Sequence, residues 1–249
     1  MTHYAQLKSQ LKALKLSGIV ETLELRIMEA QSNQLSVAEL LTMILNDEIE
    51  TRKNRKLQRL ISHAHLDAGK TLESFDFTFN PSINASLIRE LATCNFIEKG
   101  ENIFLLGPTG TGKTHLAQAI AHMACRQMLS VEFYNFHDFF NAMNKADLLG
   151  RMDKLMKSFM RADLIVIDDF AFKKIDQKSA EYFYALIDAR YRQKPIILTS
   201  NRAMKDWTAI FPDPVMANAL MDRIAHNAHQ IVIKGESFRK KYRPEIQNA

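Results

Sequence analysis

The apolar run IFLLG (103–107) leads straight into Gly107-Pro108-Thr109-Gly110-Thr111-Gly112-Lys113-Thr114, a full match to G-x-x-x-x-G-K-[ST]. No other feature of the sequence narrows the fold so far. A loop that turns successive backbone N–H groups toward a triphosphate needs torsions that side chains obstruct, so glycine recurs in it. Such a loop works between a buried strand and a helix whose positive N-terminal end faces the phosphates. In that setting Lys113 reaches the β and γ phosphates of ATP, and the Thr114 hydroxyl ligates Mg²⁺.

The sequence around this motif alternates short β-rich runs with helical stretches, the pattern of a parallel α/β sheet. Strands are expected at 103–107, 131–136, 164–168, 195–200 and 229–234, with helices at about 113–128, 138–161, 177–192 and 216–227. Hydrolysis needs an acidic group on a second strand tip, and LIVIDDF supplies one. Asp168 ends a buried apolar run in position to hold Mg²⁺, and Asp169 is placed to polarise the attacking water. An acidic pair there also suits the capping of a following helix. The run ILTS ends at Asn201, which either orients the water beside the γ-phosphate, if its strand lies between the other two, or closes an Asx turn.

The 75 residues ahead of this core read differently. Leu7, Leu11 and Leu14 recur at helical spacing, and Ser36 with Glu39 fits a capping box before Val37, Leu40, Leu41, Ile44 and Leu45. That stripe runs into TRKNRKLQRL, which carries Arg52, Lys53, Arg55, Lys56 and Arg59 and no acid. The segment SFDFTFNPS (74–82) reads as a linker, which places a boundary near residue 75 between a helical N-terminal domain (1–75) and the core (76–249). A second basic zone, with Lys154, Lys157 and Arg161 on one helix face, lies between the second and third strands. Lys173 and Lys174 form a weaker third. These cations read either as solvated faces or as contacts to DNA phosphates. With no aromatic interleaving and no base-reading helix in sight, duplex DNA bound through its backbone is the expected ligand.

Composition excludes other classes. Hydrophobic residues make up 47% and charged residues 24%, which rules out a disordered chain, and no apolar run nears the roughly 18 residues of a membrane helix. Only eight glycines and six prolines occur, which argues for long helices. The net charge of +5 favours an acidic partner. Cys94 and Cys125 have no metal or disulfide spacing and read as reduced, buried thiols of a cytoplasmic protein. His63 with His65, and His226 with His229, lack the partners of a metal site. The cluster Phe133, Tyr134, Phe136, Phe139 and Phe140 reads as core, whereas Trp207 suits core or interface alike.

Taken in order, GPTGTGKTHLA, LIVIDDF, ILTSN, ALMDRI and GESFRKKY resemble the AAA+ ATPases of the DnaC and IstB group. The stretches EIETRKNRKLQRL and DWTAIFPDPVMANALMDRIAHNA are most similar to its IstB branch, the ATP-dependent helpers of insertion-sequence transposition. The resemblance implies that Asn201 is the sensor-1 residue, Arg223 an arginine finger reaching a neighbouring subunit's nucleotide, and Arg239 the sensor-2 contact. It also implies a core without the usual helical lid. Asp169 stands where many AAA+ proteins carry Glu, and its shorter reach implies slow hydrolysis suited to a timing switch.

The expected function is an ATP- and Mg²⁺-dependent switch that forms a homo-oligomer on double-stranded DNA, remodels it and recruits a transposase. The nearest rival is a helicase loader of the DnaC or DnaI kind, which prefers single strands and serves a helicase. A small-molecule kinase and a non-hydrolysing DNA-binding module are the readings from other classes. The first leaves the basic zones and Arg223 without a role.

Overall fold

A computed structural model describes residues 3–238, which divide by packing into two compact units at Arg59 and Leu60. The first unit holds α1 (His3–Ala13), α2 (Ser17–Ser32) and most of α3 (Val37–His63). The capping box forms: Ser36 N–H donates to Glu39 at 2.7 Å, and Glu39 N–H donates back to Ser36 Oγ at 3.3 Å. Helix α2 was not anticipated. Its start is held from α3, because the buried Glu48 carboxylate accepts the N–H groups of Gly18 at 2.7 Å and Ile19 at 3.2 Å. A Cβ on Gly18 would lie 2.7 Å from Thr51 Oγ1, so glycine sets how closely these helices approach. Burial pushes the Glu48 carboxyl up. The hydrogen bonds from Arg52, Ile19 and Gly18 outweigh that and hold it below the ordinary carboxylate range.

The second unit continues from the end of α3 through α4 (Ala85–Leu91) and α5 (Asn95–Lys99) into an α/β core. The core elements are β1 (Asn102–Leu106), α6 (Lys113–Arg126), β2 (Val131–Asn135), α7 (Phe136–Leu148), α8 (Met152–Arg161), β3 (Leu164–Asp168), α9 (Gln177–Arg190) and β4 (Ile196–Ser200). A 3₁₀ turn (Met204–Ile210), α10 (Pro214–His226) and β5 (Ala228–Val232) follow. All strand pairs are parallel, in the order β2-β3-β4-β1-β5. β3 and β4 are buried along their whole length, as strands covered on both faces must be. Beneath their tips Trp207 is fully buried, edge-on to Phe104 at 5.3 Å and to Phe170 at 4.9 Å. Phe136, Phe139 and Phe140 are buried in the same core cluster, so Trp207 is core.

One difference from the sequence reading has a local cause. The helix expected over 138–161 is two helices, because α7 ends in a Schellman turn. Gly150, at φ +63°, donates its N–H to Asp147 O, and Arg151 N–H reaches back to Ala146 O. The packing division also falls earlier than the change in composition near residue 75. Residues 67–75 are bonded to α6, with Asp67 N–H on Gln118 Oε1, His122 Nε2 on Asp67 O and His115 Nε2 on Thr71 O, each at 2.9 Å. Burial pushes the Cys94 and Cys125 thiols up to about 11, so both stay protonated at neutral pH. No helix of the described residues is long and apolar enough to cross a membrane.

The Glu48 contacts generate a test. Glu48→Ala strands two helix N–H groups, and is expected to cost about 1.5–3 kcal/mol in urea unfolding followed by helical circular dichroism. Because the carboxyl pKa is lowered in the fold, this contribution is present above the ordinary Glu range and fades as pH falls through the lowered value.

Candidate nucleotide site

The carboxyl ends of β1, β4 and β3 lie side by side, with β4 in the middle. Leu106 pairs with Ser200 and Ile167 with Leu198, so the loop after β1, the Asn201 turn and the Asp168 pair open at one edge of the sheet. The condition attached to Asn201 is therefore met.

The loop 107–112 joins β1 to α6. Gly110 and Gly112 hold φ at +82° and +97°, and a Cβ on Gly110 would collide with the Ser237 hydroxyl. Phe238 N–H donates to Gly110 O at 2.9 Å, and the Phe75 ring lies where a Gly112 Cβ would meet it at 2.8 Å. The loop is thus backed by chain from both ends of the second unit. Helix α6 has no side-chain cap at Gly112 and no acid in its first turn, which leaves its N-terminal amides suited to an anion. Lys113, 5% exposed, donates to Gly107 O at 2.9 Å and Pro108 O at 2.8 Å, which holds its ammonium within the curve of the loop. A glycine cradle, uncapped amides and an inward lysine fit a nucleotide triphosphate.

Thr114 Oγ1 lies 2.9 Å from each oxygen of Asp168. A hydroxyl from the loop and a carboxylate from β3 at one point form an oxygen donor set that fits Mg²⁺. Burial pushes the Asp168 carboxyl above the usual range, against the hydrogen bonds from Thr199 and Thr114. A divalent cation there would favour the ionised form.

One residue of this site escaped the sequence reading. Thr199 is fully buried, donates a short hydrogen bond to Asp168 Oδ1, and accepts the Asp169 N–H at 2.9 Å. It thereby orients Asp168 and holds the exposed Asp169 in a left-handed conformation, φ +53°. Such a conformation at a non-glycine residue costs of order 1–3 kcal/mol and marks a place where surrounding structure imposes geometry. The signal available in the sequence was a hydroxyl residue inside an otherwise apolar strand. The turn after β4 is closed by Ser200 Oγ, which accepts the Arg202 N–H at 3.1 Å, rather than by Asn201.

The remaining candidates lie elsewhere. Arg223 sits at the opposite edge of the sheet, in a crevice with Asn102 and Ile196, the first residues of β1 and β4. Its Nε is 2.9 Å from Asp188, and its guanidinium lies 5.0 Å from the Tyr184 ring centroid. It does not converge with Lys113 and Asp168 of its own chain. Arg239 lies outside the described residues. In the N-terminal basic run, Arg52 pairs with Glu48, Lys53 with Glu50, and Arg55 with Glu21. Lys56 and Arg59 are exposed with no ion pair among the described residues. Lys154, Lys157 and Arg161 line a concave surface of about 540 Å³, joined by Arg151, Gly150, Asp153 and Ser158.

The profile of the family described as IstB-like ATP binding protein matches residues 9–246. The ATP-binding protein of insertion sequence IS232 from Bacillus thuringiensis subsp. berliner is 35% identical over 238 residues, 96% of this chain and 95% of that relative. The ATP-binding protein of insertion sequence IS5376 from Geobacillus stearothermophilus is 39% identical over 210 residues, 84% of each. Among solved structures, AMPPCP-bound DnaA from Aquifex aeolicus is similar at a TM-score of 0.59 and 26% identity, over 70% of this chain and 53% of that one.

Thr199 gives the site its test. Thr199→Val is expected to lower ATP turnover roughly tenfold to a hundredfold, the loss of one hydrogen bond to a charged group at the reacting centre. Nucleotide affinity, read by a fluorescent ATP analogue, should change little, and Thr199→Ser should restore turnover because it keeps the hydroxyl.

Proposed function

The chain belongs to the family of IstB-like ATP-binding proteins and is a P-loop ATPase of AAA+ fold, and from that membership we propose that it is an ATP-dependent helper of insertion-sequence transposition. In this reading it assembles on double-stranded DNA in the cytoplasm, remodels the DNA and recruits the transposase that inserts the element. The observation that carries the reading is the pairing of the glycine loop, Lys113, Thr114 and Asp168 at one sheet edge with relatives that are themselves insertion-sequence ATP-binding proteins.

The residues divide the work. Gly107, Pro108, Thr109, Gly110, Thr111 and Gly112 wrap the triphosphate with backbone amides, and Lys113 offsets its negative charge. Thr114 and Asp168 hold Mg²⁺, which supplies charge stabilisation on the phosphates when bound. Asp169 accepts a proton from the attacking water, and Asn201 orients that water from the neighbouring strand tip. Arg223, on the far edge of its own sheet, serves the nucleotide of the next subunit, and Arg239 contacts the nucleotide of its own. Assembly and hydrolysis are then coupled, because each site is complete only in an oligomer.

For DNA, the concave surface with Lys154, Lys157 and Arg161 is the stronger seat. Three of the five cations proposed on α3 already have carboxylate partners, which lowers their share in phosphate neutralisation and leaves Lys56 and Arg59 as its main contributors there.

Two outcomes follow. Duplex binding should be cooperative, ATP-dependent and steeply weakened by salt, and Lys113→Ala should abolish its ATP dependence in a titration of a long labelled duplex. Binding indifferent to ATP, or stronger to single strands, would favour a helicase loader. Equally, Arg223→Ala and Lys113→Ala proteins, each inactive alone, should recover part of the ATPase rate when mixed, because an intact P-loop then meets an intact arginine across an interface. No recovery would remove Arg223 from the composite site.

A further inference from the structure

Of the fifteen phenylalanines in the chain, all among the described residues, fourteen are buried or half-buried and Phe172 alone is exposed, at 65%. Its exposure is imposed by the backbone. Asp169 and Ala171 both adopt left-handed conformations, φ +53° and +65°, on either side of the fully buried Phe170. Phe170 is pinned between the strand tips, its N–H donating to Thr199 O and its carbonyl accepting from Ser200 Oγ, each at 2.7 Å. With Phe170 locked inward and the chain reversed at both neighbours, the next aromatic ring stands outside the core.

The surroundings of that ring are cationic. Lys173 and Lys174 follow it, and both are exposed. The Arg202 guanidinium reaches the Phe172 carbonyl at 3.5 Å, and Lys173 Nζ lies 3.2 Å from His137 Nδ1 at the start of α7. The nearest acids in the chain are the exposed Asp169 and Asp176, one on each side of the stretch 170–175. An exposed aromatic ring followed by two exposed lysines, with Arg202 at its own carbonyl, suits a polyanion with stackable apolar planes. Nucleic acid has both, since its phosphates pair with the cations and its base steps accept an apolar wedge.

We propose that the Phe172–Lys174 tip is a duplex-distorting wedge, in which the ring enters between base steps while Lys173, Lys174 and Arg202 hold the flanking phosphates. The wedge rests on the duplex-binding reading above and adds to it the residue that deforms the DNA. Phe172 lies four positions after Asp168, and Thr199 and Ser200 bond both the acidic pair and the base of the tip. A shift of the strand tips at the nucleotide site therefore moves the ring.

The test uses the full chain, a non-hydrolysable ATP analogue, Mg²⁺ and a linear duplex carrying aminopurine, a base analogue whose fluorescence rises on unstacking. Wild type should raise the fluorescence on binding. Phe172→Ala should bind within about threefold of wild type, held by the cations, yet lose most of that rise, whereas Phe172→Leu keeps it because an aliphatic wedge also unstacks. Truncating so exposed a ring removes little packing, so an unfolding midpoint close to wild type confirms an intact fold. A Phe172→Ala protein that unstacks the duplex as wild type does would overturn the wedge while leaving the proposed function standing. The same result accompanied by lost capture of the transposase would assign the ring to a protein partner instead. A wild-type chain that ignores duplex would remove the proposed function and the wedge together.

Discussion

Everything at the nucleotide edge depends on one buried carboxylate. Asp168 takes hydrogen bonds from the Thr114 hydroxyl at the start of α6 and the Thr199 hydroxyl inside β4, so three elements distant in sequence meet on two oxygen atoms. Burying that charge without partners would cost several kcal/mol; the two hydroxyls reduce the cost, and a bound divalent cation would reduce it further. The arrangement therefore does two things at once. It ties the phosphate-binding helix to the acidic strand, and it leaves an oxygen set that calls for a metal.

From this junction the geometry spreads outward. Thr199 also accepts the Asp169 N–H, the left-handed turn it stabilises sends Phe170 into the aromatic cluster around Trp207, and the following turn sends Phe172 out. Edge-on aromatic pairs of this kind contribute about 0.5–1.5 kcal/mol each beyond burial, enough to hold Phe170 as a fixed pivot. Arg223 follows a different logic, since it is stationed at the other end of the strands against Asp188 and Tyr184. In the function proposed above, a residue so placed would serve a neighbouring subunit's site, and assembly would then be part of the chemistry.

What the sequence disclosed was local in origin. The glycine loop, the five strands and the tip position of Asp168 were readable because each is written within a few consecutive residues, where periodicity and glycine torsions act. Other features depend on partners far along the chain. Helix α2 starts where Glu48 caps it from thirty positions away, as the hydrogen bond to Gly18 records. Thr199 acquires its role only from the strand order that sets it beside Asp168. The cations of α3 looked uniform in sequence, yet Glu21 and Glu48 distinguish Arg55 and Arg52 from Lys56 and Arg59. The α7 break at Gly150 was a local signal overlooked, because the amphipathic pattern continues across a turn whose only mark is a single glycine.

The measurement that bears most directly on this account is steady-state ATP hydrolysis by wild type and Asp168→Asn, with and without Mg²⁺ and duplex DNA. The account predicts turnover in wild type that requires Mg²⁺ and rises with duplex, and its loss in Asp168→Asn while nucleotide binding survives through the glycine loop and Lys113. Turnover that persists in Asp168→Asn, or that proceeds equally well without Mg²⁺, would contradict it.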